Sequence, residues 1–429
     1  MTISSAREVR AEGREDTLAA HYLRVRARSL ALIAPLSAED ACVQAMPDTS
    51  PAKWHLAHVT WFFETFVLEP SEAHFKPFHP AFRELFNSYY NAVGKQFPRA
   101  ERGLLTRPGL AEVLAYRVNV DARMAAVIAQ ADAPTRATIE LGLHHEQQHQ
   151  ELLLMDIKYL LSLNPLVPVY GADAAAAKNV ASPLRWHARP HGLVEIGHAG
   201  ARFHFDNETP RHPTWLAPHA LASRLVSNGE YLQFMRDGGY QRASLWLADG
   251  WATRERETWR APQYWREVAG AWFEFTLSGL HPLNVDAPVC HISHYEADAY
   301  AQWAAARLPS EFEWEAAAAD NQRKAATTDI ERLHPCATHS GAQFDNLFGA
   351  VWQWTRSAYL PYPGFKAPAG AVGEYNGKFM SNQMVLKGSC CATPLGHARV
   401  TYRNFFYAHQ RWAFTGIRLA RHRCRLRRG

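Results

Sequence analysis

The chain is poor in cysteine. Its 429 residues hold six (Cys42, Cys290, Cys336, Cys390, Cys391 and Cys424), too few and too scattered for a disulfide framework. Long apolar runs are also missing. No window reaches the roughly 18 uncharged apolar residues of a membrane-spanning helix. The opening stretch MTISSAREVRAEGRED lacks the apolar core of a signal peptide. A soluble chain with reduced thiols, in the cytoplasm and with no membrane partner, is expected. An excess of one charge is nearly absent: 46 Lys+Arg against 41 Asp+Glu leave +5. Much of that excess is terminal, in Arg418, Arg421, Arg423, Arg425, Arg427 and Arg428. It reads as a solvated tail, and nothing elsewhere forms a nucleic-acid stripe. There is no internal repeat and no low-complexity tract.

What is present is an ordinary globular composition, 47% hydrophobic and 20% charged, with length for two or three domains. The unusual counts are 22 His, 14 Trp and 16 Tyr. So much imidazole and indole points toward a metal or a cation without choosing between them.

The first part reads as helices. Residues 17–34, 51–68, 109–131 and 134–163 carry apolar positions at three- and four-residue spacing, with Pro51 at an early helix position. Four long amphipathic helices predict a bundle over 1–165. The connection at about 70–108 is long for a compact domain, and such loops are usually functional. The texture changes after Asn164-Pro165, and residues 166–190 read as a linker. From 191 to 429 the chain is rich in Gly, Pro and Trp. Brief helical patterns (SNGEYLQFMRDG, SHYEADAYAQWAAA) and short strand patterns (VEIGH, FTGIRLA) make this half an α+β domain.

Residues 145–149 read His-Glu-Gln-Gln-His. Positions i and i+4 share one helix face, so His145 and His149 can reach one ion. Neutral imidazole suits Zn, Fe, Cu or Ni. The same five residues fit the HExxH zinc-protease pattern, in which Glu146 would activate water. Against that, the helix runs on through ELLLMDIKYLL without a glycine turn and third histidine. His144 points about 100° away and reads as structural. The second helix offers His55 and His58, and their spacing does not choose between them.

Here the chain resembles a known family. DTSPAKWHLAHVTWFFETFVL, FNSYYNAVGKQFPRAERGLLTRP and HHEQQHQELLLMDIKY are similar to the DinB-like bundle of the ergothioneine-biosynthesis sulfoxide synthases. FDNETPRH, VSNGEYLQFM, PVCHISHYEADAYAQWAAARLPSEFEWE, FGAVWQWT and TYRNFF are similar to their C-type-lectin-like domain of the formylglycine-generating-enzyme/sulfatase-modifying type. The resemblance implies a non-haem Fe(II) site with His58, His145 and His149 as ligands. It implies hercynine and O2 as substrates, with Gln148 and Asn404 touching hercynine. Phe405 and Phe406 are expected to offer ring faces to its quaternary ammonium. Tyr90 is expected to donate a proton or hydrogen atom, with Tyr89 in support. Arg99 and Arg102 suit a carboxylate on the second substrate.

Three motifs depart from the family pattern: Gln353 replaces an acid in Trp352-Gln353-Trp354-Thr355, His294 follows Ser293, and Cys391 follows Cys390. If these positions line the pocket, they favour a neutral sugar as second substrate. The expected activity is then that of the related selenoneine synthases, joining hercynine C2 to the selenium of a selenosugar. The alternative is a sulfoxide synthase using cysteine or γ-glutamylcysteine. A zinc hydrolase, a carbohydrate-binding module and a formylglycine-generating enzyme are the rival classes.

Overall fold

The computed structural model describes residues 17–171, 180–189, 191–321, 333–338 and 343–422. Cys424, most of the basic tail and part of the expected linker lie outside them. The first half contains α1 (Leu18–Ile33), α2 (Ala52–Phe63), the single turns α3 (Glu69–Ser71) and α4 (Phe82–Leu85), α5 (Leu110–Gln130) and α6 (Ala133–Ser162). The starts of the long helices are written locally. Thr17 caps α1 by accepting from the Ala20 N–H at 3.2 Å. Asp132 caps α6 by accepting from the Thr135 N–H at 2.9 Å, with Pro134 in the first turn. α1 packs on α6, and α2 on both α5 and α6, closing a four-helix bundle.

α2 departs from the amphipathic expectation, because all of its residues are buried. The connecting segment supplies the reason. Its carbonyls satisfy the polar side chains that α2 would otherwise have to expose. Lys53 Nζ donates to Pro108 O at 3.0 Å, Trp54 Nε1 to Leu85 O at 3.2 Å, and His58 Nδ1 lies 2.6 Å from Phe86 O.

The second half holds strands β1 (Trp186–Ala188), β2 (Gly192–Ile196), β3 (His212–Leu216), β4 (His219–Ala222), β5 (Trp265–Val268), β6 (Ala271–Thr276) and β7 (Gly279–Pro282). β8 (Trp352–Ala358), β9 (Gln383–Gly388), β10 (Asn404–Tyr407), β11 (Thr415–Gly416) and β12 (Ala420–His422) follow. The sheets run β1-β4-β12, β2-β3, β5-β6-β7 and β10-β9-β8-β11. Helices α7 (Asn228–Arg236), α8 (Ala248–Arg256), α9 (His294–Trp303) and α10 (Glu311–Ala318) sit among them. Three of the four open on Ser-x-x-Glu: Ser227/Glu230, Ser293/Glu296 and Ser310/Glu313 form reciprocal capping boxes. Glu296 is therefore a structural acceptor, and Glu208 is another, held by Arg399 at 2.5 Å.

α6 is the spine shared by the two halves. Glu151 accepts from Trp352 Nε1 at 2.5 Å and Thr393 Oγ1 at 2.7 Å. Asp156 accepts from Trp412 Nε1 at 3.1 Å. Lys158 Nζ lies 2.8 Å from His291 Nε2. No helix among the described residues is long and apolar enough to cross a membrane.

Candidate metal centre

His58 projects from α2, and His145 and His149 from successive turns of α6. One ring nitrogen from each lies within 4.8 Å of the others. His58 Nε2 and His145 Nε2 are 3.2 Å apart. Trp54 and Trp61 sandwich the His58 ring, with centroids 4.7 and 5.5 Å away. Burial pushes all three imidazoles down, His145 to about 3, and the neighbouring histidines reinforce the shift at His58 and His149. They are therefore neutral near pH 7, each with one N–H and one ring nitrogen that presents a lone pair. Three lone-pair donors converging in a buried place fit a borderline transition metal.

The structure separates His55 from His58. His55 is one turn away along α2, where its Nδ1 lies 2.8 Å from His149 Nδ1 and its Nε2 3.0 Å from Asp156 Oδ2. It braces His149 and stands outside the triad. His144 faces elsewhere, stacked on Phe203 at 3.7 Å and 3.0 Å from His397 Nδ1.

Glu146 also faces away from the triad. Its carboxylate accepts from Arg117 at 2.5 Å, Arg26 at 2.8 Å and Ser29 Oγ at 2.5 Å. Burial alone would raise its pKa, but Arg117 and Arg26 outweigh that and hold it at about 2. A carboxylate so committed is no base for a metal-bound water. The hydrolase reading of HEQQH fails on that geometry.

A cavity of about 410 Å³ opens beside the triad, walled by both halves. Gln148 donates to Tyr402 Oη at 2.6 Å and accepts from the Tyr375 hydroxyl. Asn404 lies at the start of β10, and its Oδ1 accepts from the Phe405 N–H at 2.9 Å. Phe405 borders the cavity while stacking on Tyr359 at 4.1 Å. Phe406 borders it edge-on to Trp412 at 5.8 Å. Arg102 is buried, lies over the Trp54 ring at 3.4 Å and donates to Ser50 Oγ at 2.9 Å. Arg99 is exposed and donates to Asp48 O at 2.6 Å. Tyr89 lines the cavity. Tyr90 lies behind it, its ring stacked at 4.6 Å and fully buried.

Sequence reasoning missed Tyr375, Asn376 and Tyr402, which complete this wall. The stretch EYNGKF carries no periodicity that marks it. It reaches the site because Glu374 accepts from the Asn91 and Ala92 N–H groups at 3.0 and 2.8 Å, tying two distant loops together.

The three altered motif positions do not line the cavity, which corrects the expectation built on them. Gln353 is fully buried and braces the second half. It accepts from Trp314 Nε1 at 2.7 Å and Arg418 Nε at 2.8 Å, and donates to Leu347 O at 2.8 Å. His294 packs on Trp354 at 5.7 Å. Cys391 is a buried free thiol, as Cys390 is. These substitutions carry no information about the second substrate.

Comparison with known proteins agrees with this architecture. Residues 21–153 match the DinB superfamily, and residues 188–340 match the sulfatase-modifying factor enzyme 1-like domain. The hercynine oxygenase of Mycobacterium tuberculosis is 30% identical over 94% of this chain and 98% of its own length. The chain belongs to the hercynine oxygenase family. The Mycolicibacterium thermoresistibile hercynine oxygenase is 29% identical over 94% of each chain. Similarity to the formylglycine-generating enzyme of Streptomyces coelicolor, 31% identical, covers only 35% of this chain and 52% of that enzyme. The rival reading as such an enzyme thus accounts for part of the second half alone. As a member of the hercynine oxygenase family, the chain pairs a DinB-like helical domain with a sulfatase-modifying-type domain, and its histidine triad lies where they meet.

Proposed function

We propose that the chain is a non-haem Fe(II), O2-dependent synthase that joins C2 of the hercynine imidazole to the selenium of a selenosugar. The observation that carries the choice of donor is the row of amides in the cavity wall, set among charged side chains of which Arg403 is engaged by Glu311, Glu151 by Trp352 and Thr393, and Arg99 by Asp48 O. Gln148, Asn376, Gln383, Asn404 and Gln410 contribute five amides beside aromatic rings. Amides donate and accept with hydroxyl groups, and rings take the C–H face of a sugar. The iron would be held by His58, His145 and His149, and when bound it supplies dioxygen activation and a template on which both substrates meet.

The chain's own residues do the rest. Phe405 and Phe406 face the trimethylammonium of hercynine. The Asn404 amide offers its N–H2 to the hercynine carboxylate. Gln148, fixed at both ends by Tyr375 and Tyr402, orients the imidazole. Tyr90 supplies the proton, with Tyr89 in support. Burial raises both phenols well above their ordinary range, so they remain protonated at neutral pH. The expected phenotype of Tyr90→Phe is a kcat lower by about 10²–10⁴-fold with an unchanged KM for hercynine. An unchanged kcat would remove Tyr90 from the reaction.

A second reading has its own observation. Arg102 has an unpartnered Nε and no carboxylate in ion-pair range among the described residues. A buried guanidinium so placed suits cysteine or γ-glutamylcysteine, giving C–S bond formation. One assay separates the two. Fe(II)-loaded protein is incubated with hercynine, O2 and either a selenosugar, cysteine or γ-glutamylcysteine, and adducts are read by mass spectrometry. A hercynine–selenium adduct is expected. A sulfur adduct alone transfers the assignment to the second reading, and no adduct with any donor defeats both. Arg102→Met should raise KM at least about tenfold for a carboxylated thiol, the loss of one charge-assisted bond, and much less for a sugar.

A further inference from the structure

We infer that Trp412, Asp156 and His55 form a directional hydrogen-bond relay that fixes the tautomer of His149. It rests on His149 being a metal ligand, as proposed above. The relay would make the ligand set of the bundle depend on a residue from the second half of the chain.

The direction follows from donors and acceptors. Asp156 is 8% exposed and uses both carboxylate oxygens. Oδ1 accepts from Trp412 Nε1–H at 3.1 Å, and Oδ2 accepts from the Ser50 N–H at 2.9 Å. An indole N–H and a peptide N–H only donate, so the carboxylate is held as an acceptor. His55 Nε2, 3.0 Å from the same Oδ2, must then carry its hydrogen. With His55 taken as the neutral imidazole, a hydrogen on Nε2 leaves Nδ1 bare. His149 Nδ1 lies 2.8 Å from that lone pair and must donate to it. The hydrogen of His149 is thereby fixed on Nδ1, and Nε2 is left bare for a metal. The opposite tautomer would bring two lone pairs together at 2.8 Å.

The three histidines are not supported alike. His58 gets the same tautomer from a single acceptor, Phe86 O at 2.6 Å. His145 Nδ1 has no partner among the described residues. Among the three, only His149 is set through a chain of three residues, His55, Asp156 and Trp412, and the last of them belongs to the other half. Trp412 also borders the substrate cavity, so one indole serves both the cavity wall and the ligand's orientation. Asp156, His55 and Trp412 are positioning residues that act through His149.

The test is metal binding, read apart from turnover. Co(II) is titrated into the metal-free full-length protein and followed by its visible absorption. Partners of metal-ligating histidines typically govern affinity by about 10–100-fold. Asp156→Asn must place an N–H2 against either Trp412 or Ser50 and His55, and should weaken Co(II) binding within that range. His55→Leu should do the same. His55→Gln, whose carbonyl can still accept from His149, should recover most of the loss. Nitrogen-15 shifts of labelled histidine in the metal-free wild type should report His149 protonated at Nδ1 and bare at Nε2, a reading that needs no variant to fold. The relay is overturned if His149 is the Nε2–H tautomer. It is equally overturned if Asp156→Asn and His55→Leu bind Co(II) within twofold of wild type with the same spectrum. Failure of the wild type itself to bind Co(II) would instead sink the metal reading beneath it.

Discussion

On the proposed iron reading, replacing His145 by alanine should leave a folded protein that neither holds iron nor turns over. His145 Nε2 stands 3.2 Å from His58 Nε2, and His145 shares α6 with His149. Without it two imidazoles remain, on different helices, and no other described residue joins the cluster. Among the described residues the His145 Nδ1 makes no hydrogen bond, so the truncation removes ring packing on Phe62 and Tyr375 but no hydrogen bond from that nitrogen. The control is His144→Ala. That residue is adjacent in sequence but is turned toward Phe203 and His397, so iron stoichiometry should survive its loss. Iron is measured by elemental analysis after anaerobic loading, and folding by far-UV circular dichroism. A His145→Ala protein that kept full iron and activity would refute the ligand assignment.

The contrast between these two neighbours marks how far the sequence could be read. Helical periodicity alone separates His144 from His145 by about 100°, and it places His149 beneath His145. It also recovers α1, α5 and α6 to within a residue at either end, and the start of α2, whose α-helical part stops at Phe63, short of the expected 68. Periodicity cannot say whether His55 or His58 completes the site. Both belong to a helix with no exposed face, and the decision rests on the carbonyl of Phe86, which is 28 residues from His58. Tyr375 and Asn376 were invisible for the same reason: a Glu374 carboxylate brings them across some 280 residues of chain. The motif departures misled in the opposite direction. Gln353 differs from an expected acid, yet its position is an internal brace, and difference from a pattern does not place a residue at a cavity.

Removal of the Glu146 carboxylate should be among the most destabilising single changes in the bundle, and it discriminates structure from chemistry. The group is fully buried between Arg26 and Arg117, which are 3% and 1% exposed. Glu146→Ala leaves two buried guanidiniums without their shared acceptor. Breaking a buried ion pair from one side typically costs about 3–5 kcal/mol, enough to shift a thermal transition by several degrees. The acid limb follows from the same contacts. The folded carboxyl sits at about 2, against an ordinary value of 4.5. A folded-state pKa depressed in this way contributes stability that is fully present above pH ~4.5 and is lost as pH falls toward ~2. Wild-type protein should therefore lose stability across that window, and Glu146→Gln should flatten the loss. Denaturant midpoints at pH 7, 4.5 and 3 check both statements. If Glu146→Gln instead kept wild-type stability and lost only turnover, the carboxylate would be catalytic after all, and the hydrolase reading of HEQQH would return.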